Sequence, residues 1–166
     1  MGIIKFLDEN VEKFVLISSM ALMSIFVILQ VTMRYVFQSS LTWSEEFIRW
    51  VFVWSIWIGI SYAFRVKRHV SIPMLVDLFP KKIKLSISLF SNLVMMVFFF
   101  TLFIYGMNQV MSPLIMRRAA ITLYWPFTEV RVSSLWLYLS MPLGALLSSI
   151  RLLQNGLDDI KELKAL

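Results

Sequence analysis

The stretch from Phe14 to Met33, FVLISSMALMSIFVILQVTM, holds 20 residues without a single charge and is closed by Arg34. At ~1.5 Å per residue a helix of that length reaches about 30 Å, the thickness of a bilayer's hydrocarbon core. The run predicts a membrane-crossing helix, and the rest of the chain repeats the pattern. Hydrophobic residues fill 59% of the 166 positions and mean hydropathy is +0.77, well above the usage of a soluble domain, ~45–50% apolar. A water-soluble fold this small has nowhere to bury so much apolar surface.

Three further spans follow. Trp50 to Phe64 is uncharged but too short to cross alone. Thr42 and Glu45 stand at capping-box spacing with Glu46 beside them, so the helix is expected to begin earlier, with an acidic first turn that suits its positive end. The uncharged run from Leu85 to Met116 is too long for one crossing and too short for two, and Pro113 predicts where its helix ends. The fourth run, Val132 to Ile150, contains Pro142, which predicts a kink. The expected fold is an all-α integral membrane protein, a single four-span domain with spans at about 14–34, 44–65, 85–111 and 132–151.

Ile3, Ile4, Leu7 and Val11 recur at helical spacing beside Asp8, Glu9 and Glu12. They fit either a short amphipathic helix in the interface or an extension of span one into water. Residues 71–80, between two basic groups, read as a second short amphipathic segment. The first span has no small-residue cleavage site and reads as retained, not as a signal peptide.

Of the 16 Lys and Arg residues, 11 fall in the termini and the middle loop, where Arg65, Lys67, Arg68, Lys81, Lys82 and Lys84 cluster. The other side holds five: Arg34, Arg49, Arg117, Arg118 and Arg131. The positive-inside rule therefore places both termini and the middle loop in the cytoplasm. The net charge of +6 does not point to nucleic acid, because the charges sit in short clusters between apolar runs. With no cysteine, disulfides, thiolate metal sites and cysteine nucleophiles are excluded. The lone His69 cannot make a bis-histidine haem anchor, and no P-loop, HExxH or nucleophile elbow is present. No catalytic residue, metal ligand or cofactor is expected in this chain.

All Asp, Glu, Lys and Arg residues lie outside the four central spans or at their ends. The Ser, Thr, Asn and Gln residues left inside read as helix–helix glue with nothing acidic beside them, not as an ion site. The densest polar group is Arg34, Trp43, Glu45, Glu46 and Arg49, across the turn between spans one and two. Glu45 and Arg49 can pair at i,i+4, while Glu46 could reach Arg34. The cluster either fixes the hairpin or docks another subunit. Trp43, Phe47, Trp50, Trp54 and Trp57 form a stripe on span two, wider than three small helices are expected to fill, which predicts packing against a partner or lipid. Gly59, Ser55 and Ala63 give the same helix a small-residue face. Arg65, Lys67, Arg68, His69, Lys81, Lys82 and Lys84 are the expected anchor of the middle loop at anionic headgroups.

Arg34-Tyr35-Val36-Phe37, then Leu41-Thr42-Trp43-Ser44-Glu45-Glu46 and Arg49, resemble the first hairpin of the small membrane subunit (Q subunit, DctQ type) of tripartite ATP-independent periplasmic (TRAP) transporters. Gly59, Ala63, Arg65, Arg68-His69-Val70, Asp77 and Leu78-Phe79-Pro80 are similar to that family's second span and loop. Leu135 to Leu147, with Pro142 and Gly144, resembles its last span; Pro73 departs from the β-branched or polar residue expected there. The resemblance implies a bacterial inner-membrane system in which a large multi-span permease carries the substrate and sodium sites. A soluble periplasmic binding protein would capture an organic acid, such as a C4-dicarboxylate or a sialic acid. The small subunit would brace the permease and help dock the binding protein, with Arg117, Arg118 and Arg131 on the outer face. A self-sufficient exporter working as a homodimer is the alternative, and it requires an acidic residue inside a span.

Overall fold

The computed structural model describes residues 2–66 and 80–164, with side chains from residue 10 onward in the first helix. Helix α1 (Gly2–Tyr35) is followed by α2 (Thr42–Arg65), α3 (Lys81–Val110) and a single turn, α4 (Pro113–Met116). Strands β1 (Ala119–Tyr124) and β2 (Arg131–Ser133) form an antiparallel hairpin, and α5 (Leu135–Tyr138) leads into α6 (Ser140–Lys164). Among the described residues, four helical stretches are long and apolar enough to cross a membrane: Asn10–Tyr35, Thr42–Arg65, Lys81–Val110 and Leu135–Lys164.

Local chemistry sets several boundaries differently from the sequence reading. Helix α1 runs unbroken from Gly2, so its N-terminal stretch extends the first span and is not a separate interfacial helix. Helix α2 starts at Thr42, behind Leu41, with no side-chain cap; the expected capping box does not form, because Glu45 turns to partners on α1. The fourth helix does not begin at Val132. That residue belongs to β2, its side chain buried against Trp50 and Ala120, and the helix starts at Leu135 and continues well past residue 151. Pro142 has no N–H to offer Tyr138, and the helix breaks at Leu139, between α5 and α6. Pro113 opens α4 directly after Met111 and Ser112, the two residues that follow α3. The middle-loop amphipathic segment and Pro73 lie outside the described residues.

The helices stand as an open row. Helix α3 packs most extensively on α6, α6 on α2, and α2 on α1, while α1 and α3 meet at most marginally. One apolar core joins α2, α6 and α3: Phe64, Phe99, Ala145 and Leu152 are buried, with Trp57, Ile60, Met95 and Phe103 packed against them. Phe64 and Phe99 meet edge to face at 5.3 Å. Lipid is as apolar as leucine, so close packing by small side chains must hold such helices together. The fully buried side chains include Ser44, Ser61, Ser140, Ser148 and Pro142. Gly106 of α3 lies against the Pro142 ring, and Gly144 of α6 lies against Trp57 of α2. Gly59 faces Leu16 of α1, so the small face of α2 serves the α1 contact. Helix α1 is one edge of the row: none of its most apolar window is buried.

The glycines give a paired test. A Cβ at Gly144 would overlap that of Trp57 and come within 3.0 Å of its Cγ, whereas a Cβ at Gly156 meets nothing within 4 Å. Gly144→Ala is expected to destabilise the row by ~1–3 kcal/mol through overpacking. Gly156→Ala should stabilise α6 by up to ~1 kcal/mol. Thermal unfolding in detergent reads both shifts, and equal shifts would contradict the packing described.

Candidate functional site at the hairpin end

Strand β1 is longer than its partner. Ala119 pairs with Ser133 and Tyr124 with Arg131, so residues 120–123 of β1 face only Val132 and the register slips. The bulge deprives backbone amides of ladder partners, and unpaired amides away from water are costly. The carboxylate of Glu46, on the second turn of α2, takes them up. It accepts the N–H of Ile121 at 3.1 Å, of Thr122 at 2.6 Å and of Leu123 at 3.2 Å. The Thr122 hydroxyl also donates to Glu46 at 2.8 Å. Glu46 thus does not reach Arg34, as its position on the helix had suggested.

Glu45 takes that role. Arg34 donates to Glu45 Oε1 at 3.2 Å and Gln30 to the same atom at 2.6 Å, which clasps the outer end of α1 to α2. Both charged side chains are about half exposed, so the ion pair itself contributes only ~0–1 kcal/mol. Phe26, Trp43 and Phe47 pack beneath it, with Phe26 and Phe47 centroids 5.0 Å apart. Arg49 is exposed and, among the described residues, has no ion-pair partner, so the expected Glu45–Arg49 pair does not form.

The aromatic stripe is largely filled from within the chain. Trp50 is buried against Ala120 and Val132, with Leu123 and Leu137 around them. Trp54 Nε1 donates to the Trp136 carbonyl at 3.0 Å, and Trp57 sits in the notch left by Gly144. The expectation that three small helices could not fill it overlooked the hairpin. Between α1, α2 and the hairpin a lateral groove of 680 Å³ remains open, walled by Phe47, Trp54, Tyr124 and Trp125 among others.

Arg117, Arg118 and Arg131 are all exposed. Arg118 approaches the Tyr138 hydroxyl at 3.5 Å; Arg131 Nε donates to the Tyr124 hydroxyl at 3.3 Å, with its guanidinium over that ring. At the hairpin tip Phe127 is fully exposed and has φ of 65°, a left-handed backbone rare for a bulky residue.

At the opposite end a buried charge group links three helices that the sequence reading had not connected. Glu12 of α1 accepts from Arg151 Nε at 3.1 Å and from the Ser61 hydroxyl at 3.0 Å, and Arg65 Nη1 lies 3.9 Å from its other oxygen. Arg65, expected to reach headgroups, lies instead beside Glu12, which α1 brings to the end of α2 together with Arg151 of α6. Buried Asp159 of α6 accepts from Ser88 at 2.6 Å and Asn92 at 3.2 Å, so a carboxylate does accompany the polar groups of α3. Lys81 pairs loosely with Glu162, while Lys82 and Lys84 are exposed in the first turn of α3. Lys67, Arg68 and His69 lie outside the described residues. These long-range pairs have no local sequence signal; only the fold brings them together.

Residues 23–162 match the family model described as "Tripartite ATP-independent periplasmic transporters, DctQ component". A putative TRAP transporter small permease protein of Haemophilus influenzae is 27% identical over 163 residues, covering 98% of this chain and 92% of that one. Another protein of the same description and organism is 44% identical over 64 residues, 39% of this chain and 40% of its own. The sialic acid TRAP transporter permease protein SiaT of H. influenzae is 32% identical over 128 residues, 76% of this chain. The chain spans only 19% of SiaT's length.

Hydrogen bonds to a charged acceptor contribute ~1.5–3 kcal/mol each, so the bulge should be sensitive to the charge at position 46. Glu46→Gln, which keeps the size and loses the charge, is expected to speed amide exchange at residues 121–123 by ~10- to 100-fold, an opening cheaper by ~1.4–2.7 kcal/mol. Exchange in the Phe64–Phe99 core should not change. Hydrogen exchange with mass spectrometry makes the comparison; unchanged exchange at 121–123 would remove Glu46 from its assigned role.

Proposed function

The chain belongs to the DctQ component family of tripartite ATP-independent periplasmic transporters, and on that premise we propose that it braces a large permease and presents its hairpin end to a soluble binding protein. It is a transport subunit of that family, not an enzyme. The observation that carries the bracing role is the open row: α1 packs chiefly on α2 and its most apolar window has no buried residue. A row with two unclosed faces suits a chain that is completed by a larger hydrophobic neighbour. SiaT supports the reading, because there the matching region is about one-fifth of a much longer permease.

The positive-inside rule assigns the basic end, with Glu12, Arg65 and Arg151, to the cytoplasm of the inner membrane, and the hairpin to the periplasm. Arg117, Arg118 and the exposed Phe127 then form the surface offered to the binding protein. A strained, solvent-facing aromatic is an uneconomical feature unless something covers it. The cargo is an organic acid of the sialic acid or C4-dicarboxylate type, moved by a sodium gradient through sites on the permease.

Removing the chain should abolish sodium-driven uptake in proteoliposomes while the permease stays in the membrane. Full uptake by the permease alone would end the reading. Phe127→Asp separates docking from bracing: the two membrane subunits should still co-purify, while the binding-protein concentration for half-maximal uptake rises ~10-fold, about 1.4 kcal/mol.

A further inference from the structure

In a regular strand successive N–H groups point to opposite edges, so three in a row cannot serve one acceptor. In the bulge of β1 they do. Ile121 donates to Oε1 of Glu46 at 3.1 Å, and Thr122 and Leu123 donate to Oε2 at 2.6 and 3.2 Å. The Thr122 hydroxyl adds a bond to Oε2 at 2.8 Å. Both oxygens are engaged. No Lys or Arg pairs with Glu46 among the described residues, so the strand supplies all of these donors and α2 supplies only the ligand. The bulge is also open to water: Ile121 is exposed and Thr122 half-buried.

Successive backbone amides that converge in this way make a concavity for an anion. A planar acceptor with two oxygens fits this one, whereas a spherical halide reaches the donors of one oxygen and not of both. Charge matters as well, because hydrogen bonds to an ionised acceptor are about twice as strong as neutral ones. We propose that residues 121–123 form a carboxylate receptor, with Glu46 as its resident ligand, and that a free small carboxylate takes the place of Glu46 when that side chain is removed. The hairpin is then held to α2 only while a carboxylate fills the receptor. In the native chain Glu46 is positioned by its own helix and outcompetes a free acid, which must give up translational freedom to bind. The proposal concerns the hairpin alone and stands apart from the subunit assignment.

The test is hydrogen exchange with mass spectrometry on the full chain in detergent carrying Glu46→Ala. The probe is acetate, whose heavy atoms match those the substitution removes. Exchange at residues 121–123, faster than in wild type, should slow ~10-fold once acetate reaches about ten times its Kd, with no change in the Phe64–Phe99 core. Sodium chloride at equal ionic strength and acetamide, the neutral isostere, should leave it fast. Wild type and Glu46→Gln, whose receptors are filled, should not respond to acetate. Adding Thr122→Val to Glu46→Ala should weaken the response several-fold. If Glu46→Ala unfolds the core as well, acetate present during purification should restore protection in core and hairpin together. Exchange indifferent to acetate, an equal response to chloride or acetamide, or an unfolded Glu46→Ala chain that acetate does not recover would each overturn the proposal.

Discussion

One carboxylate holds the non-helical part of this protein in place. A β-bulge leaves backbone amides without ladder partners, and such groups seek another acceptor. Glu46 supplies it, gathering three consecutive amides and a hydroxyl onto two oxygens. The hairpin is thereby fastened to α2, and much follows from that attachment. Ala120 and Val132 close over Trp50, Trp54 reaches the Trp136 carbonyl, and the last helix is delivered to the far side of α2, where Gly144 admits Trp57.

The first helix obeys a different constraint. Its apolar middle gains little from leaving lipid, so position is set by polar contacts near its ends and by small residues between them. Gln30 and Arg34 meet Glu45 at one end; Glu12 meets Arg151, Ser61 and Arg65 at the other. The outer clasp is exposed and weak. The inner one is buried, and for such a pair desolvation offsets much of the attraction. Its contribution is to register, since sliding α1 would strand a buried arginine. An edge helix fixed in register yet sparsely packed leaves a surface on which a larger subunit or lipid can settle.

The four spans and the family were legible because hydropathy is a local, cumulative signal and the family's residues recur in order along the chain. The hairpin was not. Val132 reads as the start of an apolar run, and a three-residue strand carries no usable alternation. Helical spacing correctly separated the directions of Glu45 and Glu46 but could not say what lay in each, and the partners of Glu46 are some 75 residues away. The Glu12–Arg151 pair spans 139 residues and was invisible for the same reason. The internal cover of Trp50 and Trp57 was unforeseen as well, because it comes from the strands and from a glycine notch.

The account rests on a hairpin held rigid by Glu46, and pulsed electron paramagnetic resonance measures that directly. Spin labels at Ser40 and Glu129, both exposed, report the distance from the outer α1–α2 turn to the hairpin tip in the reconstituted transporter. A single narrow distribution is expected for the otherwise native chain, and a broad one in Glu46→Ala, with uptake falling in parallel. A distribution equally narrow in both proteins would contradict it.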